Sequence, residues 1–165
     1  MKFIRVHNQV EEEFDLEKYF FDYKIAHPEV LIKIGTDSKQ AGTCTMYVTT
    51  VCFVHPSKGV HVIYQKRKLE RVKDIYTRLF KEAEMSIEVV DFLKGRTYIA
   101  VHLDYTSKAS KSSNAGAAVI QWLKSSGYIV ECKPDAFAAS KAADGILKRK
   151  AKRLRTKDKR KTKKK

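Results

Sequence analysis

The order of the predicted strands and helices constrains the fold of this chain more than any other feature. Three strand patterns follow one another at residues 30–36, 43–55 and 60–68, and only then does a long helix pattern begin. Beyond that helix, strands and helices alternate. Consecutive strands favour an antiparallel meander, whereas the alternation calls for right-handed parallel crossovers. The sequence therefore predicts an α/β fold with a five-stranded mixed sheet and helices on both faces.

Helix patterns surround these strands. A lead-in helix is predicted over residues 9–26, because apolar residues recur there close to helical spacing until His27 and Pro28. Asp74 is placed to cap a second helix that ends near Leu93. The remaining predicted elements are a strand, a helix, a strand and an Ala-rich helix, at residues 97–103, about 115–126, 128–132 and from a start between 134 and 140.

Composition excludes several classes of protein. With 165 residues, of which 43% are hydrophobic, the chain has room for one domain with one core. No apolar run approaches the roughly 20 residues that cross a bilayer, and the acidic residues 11–13 come before any signal-like apolar stretch. The three cysteines lack the spacing of a disulfide framework or a cysteine-based zinc site. We therefore expect a cytoplasmic protein with no membrane partner.

Positive charge is concentrated at one end of the sequence. Residues 148–165 contain 13 Lys and Arg and a single acid, Asp158, which gives +12 of the formal net charge of +15. Such a run repels itself and releases counterions when it meets a phosphate backbone. It predicts a flexible nucleic-acid-binding tail at 148–165 after a folded domain at 1–147, while a solubilising end, a localisation signal and a membrane-surface anchor stay open as alternatives. The predicted nucleic-acid contacts in this tail are Lys148, Arg149, Lys150, Lys152, Arg153 and Arg155.

Two aspartates follow apolar strand patterns. Asp37 comes directly after residues 30–36, and Asp104 comes directly after residues 97–103. If these two strands lie parallel and adjacent, both carboxylates emerge at the same edge of the sheet, where open α/β sheets place their sites. Clustered carboxylates need a compensating cation, and Mg²⁺ suits them because it prefers oxygen ligands and leaves positions for substrate phosphates. A single Asp at a strand end is more often a cap or turn residue, so the prediction depends on the joint placement.

A third carboxylate is expected from the helix that follows the meander. Glu82 shares helical spacing with Leu79 and Ser86, which puts it on the border of the buried stripe, whereas Glu88 falls on the polar face. Glu84 stays an alternative, because helix phase inferred from sequence is imprecise. Solvation of all three glutamates is the competing interpretation.

Other polar residues near these acids have two possible roles. Lys39 follows Asp37 and Lys108 follows Asp104, and each either contacts a substrate phosphate or is solvated. His102, inside the fourth predicted strand, is either a core histidine, which we favour, or a proton shuttle near a metal. No Ser-His-Asp order, P-loop or Gly-rich dinucleotide motif is present.

Four strings resemble the YkuK family of RNase H-like proteins: IGTDSK, KEAEMSIEVVDFL, VHLD and KPDAFAASKAAD, within a match over about residues 10–147. The resemblance implies an RNase H-like fold in which Asp37, Glu82 and Asp104 are the first three metal ligands. It also implies a final acidic residue on the last helix, for which Asp135 and Asp144 compete. Asp135 lies nearest the fifth strand but has a simple alternative role as an N-cap. Asp144 matches the Ala-Asp end of the family motif and is the predicted ligand.

These observations predict a metal-dependent nuclease. Two Mg²⁺ or Mn²⁺ ions held by the four carboxylates would activate water for in-line attack on a phosphodiester of RNA, an RNA–DNA hybrid or structured DNA. The alternatives are a catalytically inactive RNase H-like nucleic-acid-binding module and a component of a ribonucleoprotein. An intact acidic cluster favours the enzyme, since carboxylates repel phosphate unless a cation lies between them.

Overall fold

One mixed β-sheet dominates the structure, a computed structural model that describes residues 1–7, 10–56, 59–95, 98–105, 111–133 and 135–148. In chain order the elements are β1 (Lys2–His7), β2 (Val10–Asp15), α1 (Leu16–Ala26), β3 (Leu31–Ala41), β4 (Cys44–His55), β5 (Gly59–Glu70), α2 (Ile75–Phe92), β6 (Ile99–Leu103), α3 (Lys111–Ser125), β7 (Ile129–Cys132) and a π-helix (Ala138–Ala143). Residues 144–148 continue from the π-helix as an α-helix. Six predicted nucleic-acid contacts lie outside the described residues: Lys108, Arg149, Lys150, Lys152, Arg153 and Arg155.

The strand order in the sheet is β2-β1-β5-β4-β3-β6-β7. Strands β3, β4 and β5 pair antiparallel as the predicted meander, and β6 and β7 extend the sheet from β3 in parallel. Parallel pairs need crossover connections, which α2 and α3 provide. The predicted α/β fold with a mixed sheet is therefore confirmed.

The prediction of five strands was wrong at the N-terminus, because the sheet has seven strands within the described residues. Strands β1 and β2 form an antiparallel hairpin that joins the meander along β5. The lead-in helix predicted over residues 9–26 is correspondingly shorter. It begins at Leu16, where the Asp15 carboxylate accepts a hydrogen bond from Lys18 N (3.2 Å). Edge strand β2 is mostly exposed, so it lacks the alternating burial that identifies a strand from sequence.

Helical segments cover both faces of the sheet, as predicted. On one face, Phe53 of β4 packs in the main core with Phe20 of α1 and Val89 of α2. On the other face, Val48 of β4 packs with Ala143 of the π-helix. Side chains of neighbouring strand residues point to opposite faces, which explains why one strand serves both layers. The π-helix therefore lies across the sheet from α1 and α2.

Helix α2 supplies part of the candidate site, and both of its ends are defined by specific contacts. At its start the Asp74 carboxylate accepts a hydrogen bond from Thr77 N (2.6 Å). At its end Gly95 N donates to Val90 O (2.9 Å). A Cβ atom at Gly95 would lie 2.0 Å from Ile99 Cδ1, so this close approach to β6 requires glycine.

Neither cross-links nor membrane-spanning helices shape the described part of the fold. Cys44, Cys52 and Cys132 are free thiols. Burial raises the pKa of the Cys52 thiol to about 12, which disfavours the reactive thiolate. None of the described helices is both long and apolar enough to span a bilayer.

Candidate active site

The parallel pairing of β3 with β6 determines where the two predicted aspartates lie. The last paired residues are Gly35 and His102, and Asp37 and Asp104 each lie two residues beyond that pair. The shared offset brings both residues to the place where β6 ends. The prediction that Asp37 ends its strand was wrong, because β3 continues to Ala41 in pairing with β4. Asp37 thus lies inside β3, at a position where β4 still pairs with it but β6 has already ended.

Glu82 of α2 is the buried carboxylate at this place. Its residue is 6% exposed, and its Oε1 accepts a hydrogen bond from Ser38 Oγ (2.6 Å). Burial raises the pKa of Glu82 to about 8; the Ser38 hydrogen bond opposes this rise, and the charges of Asp37 and Asp104 add to it. The alternative glutamates are exposed and form surface ion pairs, Glu84 with Lys81 and Glu88 with Arg67.

Asp37 interacts electrostatically with the other carboxylates. Its Oδ1 accepts a hydrogen bond from Ser38 N (2.8 Å). Burial raises the pKa of Asp37 to about 6 against the effect of that hydrogen bond, and the charges of Asp104 and Asp144 raise it further. Asp37, Glu82 and Asp104 also line one cavity, which places these three carboxylates near one another. We call the cluster of Asp37, Glu82, Asp104 and Asp144 the carboxylate edge.

Asp144 joins the carboxylate edge from the π-helix side of the sheet, as the residue that follows the π-helix. Hydrogen bonds hold the start of that helix on the sheet: Thr50 Oγ1 donates to Ala138 O (2.9 Å), and Ala138 N donates to His102 Nδ1 (3.1 Å). The alternative, Asp135, is exposed in the turn after β7, and its charge acts on His102 and not on the cluster. The structure therefore places Asp144 near Asp37, whereas Asp135 lies nearer His102.

His102 occupies the core position that the sequence favours. The residue is fully buried, and its Nδ1 accepts the hydrogen bond from Ala138 N, so Nε2 carries the proton and donates to Glu131 Oε2 (2.7 Å). Glu131 also forms an ion pair with Lys33. Burial lowers the pKa of His102 although Glu131 opposes the change. These contacts position the π-helix.

Comparison with known proteins identifies the family of the chain. The family model described as Ribonuclease H-like matches residues 19–148. The chain belongs to the ribonuclease H-like family. None of the curated proteins matches the sequence.

Two solved structures are similar to this ribonuclease H-like chain. RNase H1 from the halophilic archaeon Halobacterium salinarum is 11% identical, at a TM-score of 0.40, with 65% of this chain and 88% of that chain covered. The N-terminal RNase H domain of a Mycobacterium tuberculosis protein, solved as a fusion with maltose-binding protein, is 18% identical, at a TM-score of 0.36, with 73% of this chain and 98% of that chain covered. Sequence identities and TM-scores this low do not support an inference about function.

Arg78 is a residue of the ribonuclease H-like site that the sequence prediction missed. It lies one turn before Glu82 on α2, and its charge partly offsets the effect of burial on the pKa of Glu82 and Asp37. Its Nε is buried and has no hydrogen-bond partner among the described residues. The spacing of four residues between Arg78 and Glu82 was the signal in the sequence, since such residues share a helix face.

Lysines pair with two of the four carboxylates. Lys133 forms an ion pair with Asp104 Oδ1, an oxygen that is otherwise buried and accepts no hydrogen bond within the described ranges. Lys148 Nζ donates to Asp144 Oδ2 (2.5 Å). Lys39, one of the predicted phosphate contacts, is exposed, as is Lys148. Both lysines are therefore accessible to a phosphate.

The residues of the carboxylate edge fit a hard divalent cation. A cavity of about 290 Å³ opens there, lined by residues that include Asp37, Ser38, Arg78, Glu82, Asp104 and Tyr105. Carboxylate oxygens are the preferred ligands of such ions, and a bound cation would favour the charged forms that burial and mutual repulsion disfavour. No three of the carboxylates have oxygens within 4.8 Å of one another in the described part of the chain. That spread suits ions that keep several water ligands.

Proposed function

We propose that this ribonuclease H-like chain is a metal-dependent nuclease of the YkuK branch that hydrolyses phosphodiester bonds in RNA, RNA–DNA hybrids or structured DNA. One observation carries the proposal: the same offset beyond the last β3–β6 pair brings Asp37 and Asp104 together. Glu82 and Asp144 complete the cluster from two other elements. The charge of Asp144 raises the pKa of Asp37, and the charge of Asp37 raises the pKa of Glu82. The four acidic residues come from four separate segments of the chain, namely β3, α2, the end of β6 and the end of the π-helix.

The carboxylates would hold Mg²⁺ or Mn²⁺, and two such ions supply an activated water and stabilise the departing oxygen in phosphodiester hydrolysis. Asp37 and Glu82 are fixed in orientation by Ser38, whose backbone N–H and hydroxyl each donate to one of them. The Tyr105 hydroxyl donates a hydrogen bond to Leu79 O (2.8 Å), which helps to hold α2 in position. Arg78 adds a positive charge to the cavity, which favours the approach of an anionic substrate.

Basic residues would hold the nucleic acid through its phosphates. Exposed Lys39 lies two residues after Asp37 on β3, and exposed Lys148 lies four residues after Asp144. The charge of +12 on residues 148–165 supplies sequence-independent affinity. The division into a domain at 1–147 and a flexible tail at 148–165 stays a prediction, as does a cytoplasmic location.

A second function is favoured by the lysine pairs at the carboxylate edge. Lys133 and Lys148 already neutralise Asp104 and Asp144, so two of the four acids have charge partners within the chain. A ribonuclease H-like module with this arrangement would bind nucleic acid, or serve in a ribonucleoprotein, without a catalytic ion. The two functions differ in one respect that experiment can measure, which is cleavage that requires a divalent cation.

The test is a cleavage assay with the full chain. Labelled single-stranded RNA, RNA–DNA hybrid, duplex DNA and four-way junction are each incubated with Mg²⁺, Mn²⁺ or EDTA. The nuclease proposal expects cleavage of at least one substrate with a metal ion, none in EDTA, and none with Asp37→Asn. Binding of these substrates without cleavage under every condition would favour the second function. Cleavage that persists in EDTA or in Asp37→Asn would remove the carboxylate edge from the mechanism.

A further inference from the structure

A second cluster of metal-ligating side chains lies at the carboxyl end of strand β4, away from the carboxylate edge. It consists of His27 and Glu29, which follow α1, and His55, the last residue of β4. One donor atom from each residue lies within 4.8 Å of the other two. The register places Asp37 beside Val48, which is about 23 Å along the strand from His55 at 3.3 Å per residue. We call this separate cluster the histidine end.

Distances within the histidine end suit a transition-metal ion. His55 Nδ1 lies 3.4 Å from Glu29 Oε1, and His27 Nδ1 lies 4.0 Å from the same oxygen. Ligands of a tetrahedral zinc ion, at about 2.0–2.2 Å from the metal, are about 3.3 Å apart. The first pair already has this separation, and the second needs a shift of under about 1 Å. The side chains of His27 and Glu29 are 43% and 49% exposed, so both have room to make that shift.

His55 has a ring nitrogen available for a ligand. Its Nδ1 is buried and has no hydrogen-bond partner among the residues that the structure describes. Its Nε2 lies 2.7 Å from Tyr23 Oη. In the tautomer with the proton on Nε2, that proton is donated to Tyr23 and the Nδ1 lone pair faces Glu29; in the other tautomer Nδ1–H faces the Glu29 carboxylate, and a metal ion would replace that proton. Metal-ligating histidines usually have their second ring nitrogen held in this way, and a bound cation would satisfy a buried nitrogen that otherwise costs stability.

His61 has no comparable arrangement, although it lies in the same aromatic group. Its Nε2 lies 2.8 Å from Tyr19 Oη. Its ring stacks on Tyr23, with ring centroids 5.1 Å apart and planes at 14°. It is not among the three residues whose donor atoms converge. His61 is therefore a matched control, a neighbouring histidine with a packing role.

We propose that His27, Glu29 and His55 bind a divalent transition-metal ion, with Zn²⁺ preferred over Mg²⁺. Two imidazole nitrogens and one carboxylate oxygen suit zinc, whereas Mg²⁺ prefers oxygen ligands alone. A water molecule would take the fourth position. The ion joins the end of α1 to the β4–β5 hairpin, so its role is to hold α1 on the sheet.

The test is a calorimetric titration of the full chain with Zn²⁺ in excess Mg²⁺ at neutral pH. We expect one zinc equivalent for the unmodified chain. His55→Gln and Glu29→Gln should weaken its affinity by more than about 100-fold, and Tyr23→Phe by about 10-fold through loss of the hydrogen bond to His55. His61→Gln and Asp37→Asn should leave the zinc affinity unchanged.

Three results would overturn this proposal. They are no zinc binding by the unmodified chain, equal zinc affinity in His55→Gln, and zinc binding that Asp37→Asn removes. Circular dichroism shows whether each variant is folded. If His55→Gln does not fold, His27→Gln replaces it, because the His27 side chain is 43% exposed and its loss leaves no enclosed cavity. The same more than about 100-fold loss of affinity is expected there, and an unchanged affinity would overturn the proposal.

Discussion

The carboxylate edge and the histidine end offer cations different ligands at two places about 23 Å apart along β4. The first presents four carboxylates, and burial together with the charge of Asp104 raises the pKa of two of them, Asp37 and Glu82. The second presents two imidazole nitrogens and one carboxylate. Hard ions such as Mg²⁺ and Mn²⁺ prefer the first set of donors, and Zn²⁺ prefers the second. Each site should therefore be removable without affecting the other.

The two sites also differ in how the fold assembles them. The carboxylate edge depends on crossovers, because α2 carries Glu82 and also allows β6 to lie parallel to β3. The histidine end depends on short connections, the turn after α1 and the end of β4. A functional site that the family shares is expected where the topology itself brings segments together, whereas a site in local turns is free to differ between relatives.

The largest effect should come from removing carboxylates at the carboxylate edge. Asp104→Asn and Asp144→Asn should each lower the single-turnover cleavage rate in Mg²⁺ by at least about 100-fold, because a lost ligand removes several kcal/mol of metal-ion stabilisation in the transition state. Asp135→Asn is the matched control, since Asp135 is exposed outside the cluster, and it should keep the full rate. If Asp135→Asn lost activity and Asp144→Asn retained it, the assignment of the fourth ligand would have to be reversed.

Removal of the basic tail should affect substrate affinity and leave zinc binding unchanged. Deleting residues 149–165 keeps all four carboxylates and the pair between Lys148 and Asp144. Each lost phosphate contact should reduce the log–log salt slope by about 0.9 for duplex DNA or about 0.7 for a single strand. We expect at least about 10-fold weaker binding near physiological salt, with the rate at saturating substrate unchanged. A salt slope equal to that of the full chain would refute the role of the tail.

The pH dependence of the stability should come from the carboxylate edge and not from the histidine end. The pKa of Glu82 is raised to about 8 and that of Asp37 to about 6. The folded chain therefore keeps protons that the unfolded chain has released, so stability in EDTA should fall as pH rises from about 5 to about 8. Glu82→Gln keeps an acceptor for Ser38 and should be more stable than the unmodified chain at pH 8 by about 1–3 kcal/mol.

Urea unfolding at the two pH values measures this difference, and His61→Gln is a control that should follow the unmodified chain. An equally steep loss of stability in Glu82→Gln would contradict this prediction, because it would place the titrating group elsewhere. Addition of Mn²⁺ at pH 8 should restore the stability of the unmodified chain, because the ion binds only the folded state.

The sequence signals for two of the candidate acids were local. Asp37 lies within or just after an apolar run and Asp104 just after another, and the strand–helix alternation makes the two strands parallel neighbours. Helix phase favoured Glu82 over Glu88 but left Glu84 as an alternative, and only the structure shows that Glu82 is the buried one and Glu84 is exposed. Asp144 was preferred to Asp135 only through the family resemblance, and its position depends on a π-helix, whose wider turn shifts every later residue and which no sequence pattern predicted.

The remaining features depend on distances that a sequence pattern does not contain. His27 and His55 meet because α1 docks on β4 through Phe20, Tyr23 and Phe53, and this packing determines where both ends lie. The N-terminal hairpin was missed because its edge strand has little buried surface, and apolar residues in it also fit a helical spacing. The pair between Lys133 and Asp104 likewise joins two segments that only the turn after β7 brings together.

A smaller effect, on Mn²⁺ affinity, is expected from replacing Lys133, which competes with a cation for the Asp104 carboxylate. Lys133→Met should strengthen Mn²⁺ binding by about 2–5-fold, because the Asp104 carboxylate loses a partially exposed ion pair worth about 0–1 kcal/mol. Lys124→Met, at an exposed position of α3, is the control and should leave the affinity unchanged. Weaker Mn²⁺ binding in Lys133→Met would instead show that the lysine helps to hold the site in shape.

The most direct test of the central claim is a titration of Mn²⁺ into the unmodified chain, Asp37→Asn and His55→Gln. We expect Asp37→Asn to lose Mn²⁺ binding and His55→Gln to retain it at full affinity, because oxygen donors at the carboxylate edge hold the hard ion. Mn²⁺ binding that is unchanged in Asp37→Asn would contradict the claim that the carboxylate edge is the metal centre of this ribonuclease H-like protein.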